Sequence, residues 1–195
     1  MKDNILHRRD RLIITTIEII DELGVQGLST REIAKRQDVS EATIFRHYKS
    51  KNELLVAVIN YFSQFDEDIY NTTKLKGLSP KESICYLIGA TAEYYENYPA
   101  ITSIMQLFDV LRYEMELSVI IKELLEKRIN TIFDLIKEAQ DSGEMKSDVD
   151  SKGIAIMISG YFREICLLWR FEDRKFSLKE KTLSMINSLF DAFNY

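Results

Sequence analysis

Three helix starts follow one another closely between residues 29 and 55, in the stretch STREIAKRQDVSEATIFRHYKSKNELL. Each has a serine at the position that caps free backbone N–H groups, and two of the three have the glutamate spacing of a capping box. The start signals are Ser29 with Glu32, Ser40 with Glu41, and Ser50 with Glu53. The stretch therefore predicts a short helix from Thr30 to the break at Asp38, a second short helix over residues 41–48, and a long third helix from Lys51.

The second short helix, residues 41–48, has one apolar and one polar side. Ile44 and Tyr48 lie four positions apart and are predicted to face inward. The side chains predicted to project outward, or to lie just beyond the helix, are those of Thr43, Arg46, His47, Lys49 and Lys51. A short helix held by a tight turn with such donors outward is the arrangement that enters a DNA major groove. The alternative is that this polar side is only the solvated face that any small three-helix bundle has. The spacing of the helices alone is a moderately specific signal for DNA binding.

Residue identities favour the first interpretation. The residues concerned are Gly24, Gly27, Ser29 to Ala34, Val39, Ser40, Thr43 to Tyr48, Lys51, Leu54 and Leu55. In these residues the chain resembles the N-terminal DNA-binding domain of the TetR family of one-component repressors, over roughly residues 8–60. The resemblance implies DNA contacts by Thr30, Arg31, Ser40, Glu41, Ala42, Thr43, Phe45, Arg46, His47 and Lys51.

Two positions depart from the family's pattern. The turn position that the family usually fills with glycine is Asp38, which adopts a left-handed conformation less readily than glycine does. The tyrosine that contacts phosphate in the family is replaced by Phe45, so one hydroxyl contact is missing. Tyr48 is expected to pack in the core and not to replace that contact.

The scarcity of glycine and proline indicates helices. The chain has 7 Gly and 2 Pro among 195 residues and shows no alternating runs of β-branched residues. The predicted fold is all-α, with a three-helix helix-turn-helix head over residues 1–51 and a six-helix body for ligand binding and dimerisation over residues 52–195. The absence of a bilayer-length apolar run and of a hydrophobic leader predicts a cytoplasmic protein with no membrane partner.

The net charge of −5 is divided unevenly along the chain. Residues 1–51 carry ten Lys/Arg and eight Asp/Glu, for a net charge of +2. The rest of the chain carries sixteen Lys/Arg and twenty-three Asp/Glu, for a net charge of −7. A positive head on an acidic body would orient the head toward DNA phosphates.

Residues for catalysis or metal binding are not indicated. Cys85 and Cys166 lie in apolar helical patterns and are expected to be buried thiols, with a disulfide or redox switch as the alternative. The two histidines, His7 and His47, show no metal-ligand spacing. We therefore expect no metal, no cofactor and no enzymatic activity.

Besides the long helix from Lys51, six further helices are predicted from apolar periodicity and stop signals. Their residues are 8–23, ending at Gly24, 80–97, 101–113, 114–142, 150–171 and 178–193, and the long helix is predicted over residues 51–70. The helix from Lys51 joins the head to the body without a flexible linker. A shift of its lower end would therefore move the head as a rigid unit.

The middle helices are predicted to enclose an effector site, as the corresponding helices do in TetR relatives. The candidate ligand-binding residues are Cys85, Gly89, Ala92, Tyr95, Met105, Phe108, Arg163, Cys166 and Trp169. Gly89 and Ala92 are expected to leave room there, and Arg163 is either a ligand anchor or a residue facing water or a second subunit. The alternative for each of the others is an ordinary core residue. Weak similarity of residues 160–178 to relatives that sense long-chain acyl-CoA ranks an amphipathic effector first and a cationic or aromatic one second.

The last two helices carry more apolar surface than one buried face needs. The residues predicted to form a homodimer interface are Gly153, Gly160, Ile186, Leu189, Phe190 and Phe193. Pairing both helices with their symmetry mates would bury this surface, as TetR relatives do. The alternative is a tightly packed monomeric core.

The predicted function is a ligand-responsive, homodimeric DNA-binding repressor that a small effector of unknown identity releases from a palindromic operator in double-stranded DNA. The alternative is a helical adaptor that binds other proteins and not DNA. The gathering of Arg31, Thr43, Arg46, His47 and Lys51 on one face favours the repressor.

Overall fold

A computed structural model describes residues 7–193 of the chain, and these residues form nine α-helices, or ten if the first is divided at its kink. The helices are α1 (Arg8–Gly27), α2 (Thr30–Gln37), α3 (Glu41–Phe45), α4 (Lys51–Lys76), α5 (Pro80–Asn97), α6 (Ile101–Leu111), α7 (Met115–Asp141), α8 (Ser151–Phe171) and α9 (Leu178–Ala192). The predicted all-α fold is confirmed. Within the described range, each helix is too short or too polar to cross a membrane.

The first helix is bent where the sequence predicted its end. Gly24 has φ 71° and ψ 175°, a backbone conformation that is essentially restricted to glycine. The chain then turns helical again as far as Gly27. Apolar periodicity predicts that Leu23 lies on one buried stripe with Ile13, Ile17 and Ile20. This prediction is wrong, because Leu23, next to the bend, is exposed.

Side-chain caps explain why several helices begin where they do. Ser79 and Glu82 have the spacing of a capping box and form one: the Ser79 N–H donates to the Glu82 carboxylate at 2.9 Å, and the Glu82 N–H donates back to the Ser79 hydroxyl at 3.4 Å. At α2 only half of the box is present, because the Ser29 hydroxyl accepts from the Glu32 N–H at 3.1 Å. The Glu32 carboxylate instead accepts from Arg36.

Several predicted boundaries need correction. The second short helix, α3, ends at Phe45, so Arg46 and His47 lie in the turn that follows it and not on the helix. The long helix α4 continues without interruption to Lys76, beyond the predicted end at residue 70. The remaining predicted bounds agree with the structure to within two residues.

The chain packs as two compact units. The first unit comprises the chain up to Gln64 together with Pro99–Ile121, and the second comprises Phe65–Tyr98 together with the chain from Lys122 onward. Both α4 and α7 therefore contain residues of each unit. The predicted functional division into residues 1–51 and 52–195 stays a prediction, because these units are defined by packing alone.

Each unit has its own apolar core. Fully buried residues of the first unit include Leu12, Ile17, Ile33, Ile44, Leu54, Val58 and Leu117. Those of the second unit include Ile84, Ile132, Ile136, Met145, Ile158, Cys166 and Ile186. Burying side chains of this size contributes about 1.5–3 kcal/mol each to folding.

The bend in α1 provides a test of the fold. Gly24→Ala would force a side chain into the glycine-restricted conformation and should lower the free energy of unfolding by about 1–3 kcal/mol. Gln26→Ala, at an exposed position nearby, is the matched control and should change it by less than about 0.5 kcal/mol. Urea denaturation followed by circular dichroism measures both. Equal stability of the two variants would contradict the strained bend.

Candidate functional site

The turn between α2 and α3 is closed by a left-handed residue, Asp38, with φ 51° and ψ 50°. Its own N–H donates to the Lys35 carbonyl at 3.3 Å, and the Val39 N–H donates to the Ala34 carbonyl at 3.0 Å. These two bonds satisfy carbonyl groups at the end of α2, as glycine-based helix ends do. The departure at Asp38 is thus accommodated, and the turn keeps a helix-turn-helix geometry.

The end of α2 is tied to α1 by polar contacts. The Gln37 side-chain amide donates to the hydroxyl of buried Thr15 at 2.6 Å. The Arg36 guanidinium pairs with Glu22 at 2.8 Å and with Glu32 at 3.0 Å. Hydrogen bonding to these two carboxylates raises the Arg36 pKa. These contacts orient α2 on α1, which is the strut of the helix-turn-helix.

Two predicted DNA-contacting residues pair with each other. The Thr30 hydroxyl donates to the Glu41 carboxylate at 2.5 Å, which joins the first residue of α2 to the first residue of α3. Both residues therefore fix the angle between the two short helices in the free protein. Their predicted contacts with DNA remain predictions.

Thr43 does not point outward as predicted. It is only 7% exposed, and its hydroxyl accepts from the Arg46 guanidinium at 3.1 Å and lies 3.1 Å from the Ser40 hydroxyl. The short helix turns this side chain inward beside Ile44. The Thr43 hydroxyl thus holds Arg46 and Ser40 in place in the free protein, and its predicted contact with DNA stays a prediction.

The remaining donors and one exposed aromatic ring lie in or next to α2, α3 and the first turn of α4, and we call this set of residues the α2–α3 surface. Its exposed residues are Arg31, Ser40, Ala42, Phe45, Arg46, Lys49 and Lys51. His47 lies beside them and is half-buried. The surface contains four cations and, in Phe45, a phenyl ring that is 49% exposed.

Tyr48 packs in the core, as expected from the sequence. It is 1% exposed, and its hydroxyl accepts from the Arg9 guanidinium at 3.3 Å. Burial raises the Tyr48 pKa, so the phenol stays neutral. Tyr48 therefore does not supply the phosphate contact that is missing at Phe45.

Lys51 is placed at the first turn of α4, with its ammonium 3.3 Å from the Val25 carbonyl. The turn before it is fixed by Glu53, whose carboxylate accepts from the Lys49 N–H at 2.6 Å and whose N–H donates to the Ser50 hydroxyl at 3.1 Å. The bend at Gly24 brings the Val25 carbonyl to this position. Lys51 is exposed and can exchange this weak contact for a phosphate.

The second unit gathers several of the predicted ligand-binding residues in its interior. Ala92, Tyr95, Cys166 and Trp169 are all buried. The Tyr95 ring packs against Phe162, with ring centroids 5.5 Å apart. Burial raises the pKa of the Cys166 thiol to about 12, so it is neutral and unreactive at physiological pH.

A charged group that the sequence reasoning missed, Arg128, lies against this interior. Its guanidinium pairs with the Asp66 carboxylate at 2.6 Å and donates to the Tyr95 hydroxyl at 3.3 Å. Burial opposes the charged form of Arg128, but the interactions with Asp66 and Tyr95 outweigh it and raise the pKa. The sequence did indicate a charge at this position, because helical spacing places Arg128 on the apolar stripe of α7 between Leu124 and Ile132.

Other predicted ligand-binding residues lie elsewhere. Met105 and Phe108 are buried in the first unit. The expected room beside Gly89 is filled, because an added Cβ would lie 3.3 Å from both terminal methyl groups of Leu183. Cys85 and Gly89 line an open groove of about 430 Å³. Arg163 is exposed on α8, so the guanidinium beside Tyr95 is that of Arg128 and not that of Arg163.

The predicted dimer residues divide into buried and accessible ones. Ile186 and Phe190 are buried within this chain, so they belong to its own core and cannot form the outer surface. Leu189 and Phe193 are half-buried. Gly160 is exposed, with no atom within 4 Å of an added Cβ, whereas an added Cβ on Gly153 would collide with the Asp150 carboxylate.

An apolar surface remains on α8, on the face that includes Gly160. Its large exposed side chains are Ile156, Met157, Leu168 and Phe171. Arg163 and Glu164 are exposed on the same helix. Helical periodicity places Met157 on a broad apolar stripe of α8, but it does not separate the inner from the outer residues of that stripe.

The helix-turn-helix geometry and the α2–α3 surface define a DNA-binding regulator. A sequence model described as "Bacterial regulatory proteins, tetR family" matches residues 12–58, and one described as "YsiA-like protein, C-terminal region" matches residues 59–192. The chain belongs to the TetR family of bacterial regulatory proteins, with a C-terminal region of the YsiA-like type.

Characterised relatives agree with this assignment. The chain is 26% identical over 180 residues to the fatty acid metabolism regulator protein of Bacillus subtilis, covering 92% of each chain. It is 26% identical over 163 residues to the transcriptional repressor KstR of Mycobacterium tuberculosis, covering 83% of this chain and 70% of that one.

Two solved structures share the fold. FadR of Bacillus halodurans superimposes with a TM-score of 0.82 at 20% identity, over 93% of each chain. FadR of Bacillus subtilis in complex with stearoyl-CoA superimposes with a TM-score of 0.79 at 25% identity, over 91% of this chain and 96% of that one. The predicted function, a ligand-responsive DNA-binding repressor, is confirmed by the family and these relatives.

The contribution of Lys51 to DNA binding can be measured. Lys51→Ala should weaken binding to every DNA sequence and flatten the slope of log affinity against log salt by about 0.9, because one phosphate contact releases one condensed counterion. Lys122→Ala, an exposed lysine of the second unit, is the control and should leave the slope unchanged. Fluorescence anisotropy with labelled operator measures both. An unchanged slope for Lys51→Ala would remove this residue from the DNA interface.

Proposed function

We propose that the chain represses transcription as a homodimer that binds a palindromic operator through the α2–α3 surface of each protomer. The observation that carries this proposal is the set of exposed cations, Arg31, Arg46, Lys49 and Lys51, beside a closed helix-turn-helix. The arginine guanidinium can donate two hydrogen bonds to a guanine edge, whereas lysine neutralises phosphates. Arg31 and Arg46 are thus assigned to sequence readout, and Lys49 and Lys51 to affinity.

A twofold symmetric dimer would present these surfaces to two half-sites. In dimeric helix-turn-helix proteins the half-sites lie one helical turn of DNA, about 34–36 Å, or a multiple of it apart. The apolar face of α8, with Ile156, Met157, Leu168 and Phe171, supports a dimer formed through this helix. The exposed Gly160 on the same helix allows another backbone to approach closely.

The α8 interface can be tested without disturbing the core. Leu168 is 43% exposed within the chain, so Leu168→Glu should leave the protomer folded but put a charge into the dimer seam. We expect a wild-type dimer and a monomeric variant in sedimentation velocity at micromolar concentration. Val119→Glu, at a similarly exposed apolar position outside α8, should remain dimeric. Dimeric Leu168→Glu would exclude this face as the interface.

The effector is proposed to be a long-chain acyl-CoA. The Bacillus subtilis FadR structure contains stearoyl-CoA, and its sequence aligns with nearly the whole of this chain. The second unit supplies matching chemistry, because Tyr95, Phe162 and Trp169 form an apolar interior beside the charged Arg128. An acyl chain needs the first kind of surface, and a phosphorylated head needs the second.

Helix α4 would carry the signal. It runs without interruption from Lys51, on the α2–α3 surface, to Lys76, and it includes Asp66, the partner of Arg128. A helix moves as a rigid rod, so a change of packing near Asp66 alters the position of Lys51. Effector binding would thus favour a dimer whose two DNA-binding surfaces no longer match the half-site spacing.

Release of the operator is the direct test of the effector class. Palmitoyl-CoA should weaken operator binding by about 5-fold to 150-fold, and operator DNA should weaken palmitoyl-CoA binding by the same factor, because linkage is reciprocal. Fluorescence anisotropy measures the first change and isothermal titration calorimetry the second. Coenzyme A without an acyl chain is the control and should have little effect. Operator binding that is insensitive to palmitoyl-CoA would exclude this class of effector.

A further inference from the structure

The outward side of α3 carries two apolar residues. Thr43 and Ile44 are buried on the inner side of this five-residue helix. Ala42 and Phe45 are exposed, and 49% of Phe45 is accessible to water. Residues three apart lie on the same face of a helix, so the methyl group of Ala42 and the ring of Phe45 are neighbours. Together they form a small apolar surface, which we call the Ala42–Phe45 patch.

The Ala42–Phe45 patch is followed in the chain by positive charges. Three exposed cations come directly after it: Arg46, Lys49 and Lys51. These cations attract the phosphates of a DNA duplex, and phosphate contacts fix the orientation of a protein on its site. An apolar surface placed among them meets the base edges that lie in the groove between the phosphates. The charges around the patch therefore indicate a base as its partner.

The polar side chains next to the ring are oriented before any DNA is bound. The Arg46 guanidinium donates to the Thr43 hydroxyl at 3.1 Å. The Glu41 carboxylate accepts from the Thr30 hydroxyl at 2.5 Å, which ties the acid at the start of α3 to α2. Groups that are already ordered lose less conformational freedom on binding. The outward side of α3 thus presents Phe45 between side chains that the protein itself holds in place.

The chemistry of the base edges selects one partner for this patch. In the major groove, guanine, adenine and cytosine present hydrogen-bond donors and acceptors, whereas thymine also presents its C5 methyl group. Phenylalanine and alanine side chains are among those that contact this methyl group. Their contact removes apolar surface of both molecules from water, which is favourable.

We propose that the Ala42–Phe45 patch binds the C5 methyl group of a thymine in each half-site and so distinguishes thymine from cytosine at that position. The inference rests on the proposed function, because it names a base that the α2–α3 surface reads. It adds an apolar contact to the hydrogen bonds assigned to the arginines. 5-Methylcytosine carries the same methyl group, so a methylated cytosine at this position should restore the contact.

Removal of the methyl group from the DNA tests the contact on unaltered protein. The duplex is an operator that the full-length wild type selects from random DNA, and each of its thymines is replaced in turn by deoxyuridine, which lacks only the methyl group. At one symmetric pair of thymines, affinity should fall about fourfold for a change in one half-site and about 15-fold for both, the effect of one buried methyl group per half-site. Fluorescence anisotropy measures the affinities.

Phe45→Ala removes the protein side of the contact. The variant should bind the parent duplex more weakly, and it should bind the parent and the deoxyuridine duplex equally well, because the interaction between ring and methyl group is already lost. Val110→Ala changes an apolar residue of the first unit that is 53% exposed and lies outside the α2–α3 surface. It is the matched control and should keep the fourfold difference. Melting temperatures show that both variants are folded.

Cytosine methylation tests the same contact in the opposite direction. Cytosine in place of the sensitive thymine should weaken wild-type binding, and 5-methylcytosine should recover about fourfold of that loss. Phe45→Ala should bind the two cytosine duplexes equally well.

The inference and the proposed function can fail separately. Wild-type affinity that no deoxyuridine substitution changes would overturn the inference, and so would a Phe45→Ala variant that is as sensitive to deoxyuridine as the wild type. If Phe45→Ala weakens binding while deoxyuridine has no effect on the wild type, the ring packs on the sugar–phosphate backbone and the inference is wrong. Sequence preference that Arg46→Ala abolishes would then leave the proposed function standing. A wild type that selects no sequence refutes both.

Discussion

The uninterrupted helix α4 is the constraint on which the rest of the structure depends. Its first turn supplies Lys51 to the α2–α3 surface, and its later turns supply Asp66 and Glu67 to the second unit. The helix lacks glycine and proline along its whole length, so backbone hydrogen bonds continue from end to end. Each unit has its own apolar core. A chain built in this way can bind DNA and a small molecule with different residues and still make the two events depend on each other.

Local signals predicted the fold well because helix starts and stops are decided by neighbouring residues. The serine caps at Ser29 and Ser79, the break at Asp38 and the bend at Gly24 all lie where the sequence places them. The wrong predictions concern the exposure of side chains next to these helix starts and stops. Leu23 leaves the buried stripe because the bend at Gly24 ends the helical period. Thr43 lies inward because its hydroxyl contacts Ser40 and Arg46, two residues at the ends of α3.

The candidate effector site was less predictable, because it depends on contacts between distant parts of the chain. Periodicity shows that Arg128 interrupts an apolar stripe, but it cannot show that Asp66 lies opposite. In the same way, nothing near Gly89 in the sequence shows that Leu183 fills the space beside it. Arg163 was the obvious charged residue in an apolar helix, and its exposure could not be known before α8 and α9 were placed. The kinds of residue that form the candidate site could therefore be predicted from the sequence, but the contacts between particular residues could not.

Stability alone does not explain why the contact between α4 and α7 is polar. A partly buried ion pair is often no more stabilising than well-packed apolar residues of similar volume, because both charges lose hydration. Apolar residues at 66 and 128 could therefore hold the two helices together equally well. They would not fix the relative position of the two segments as closely, since apolar contacts are not directional. The Asp66–Arg128 pair is thus best understood as a directional contact that fixes how α4 lies against α7 within the second unit.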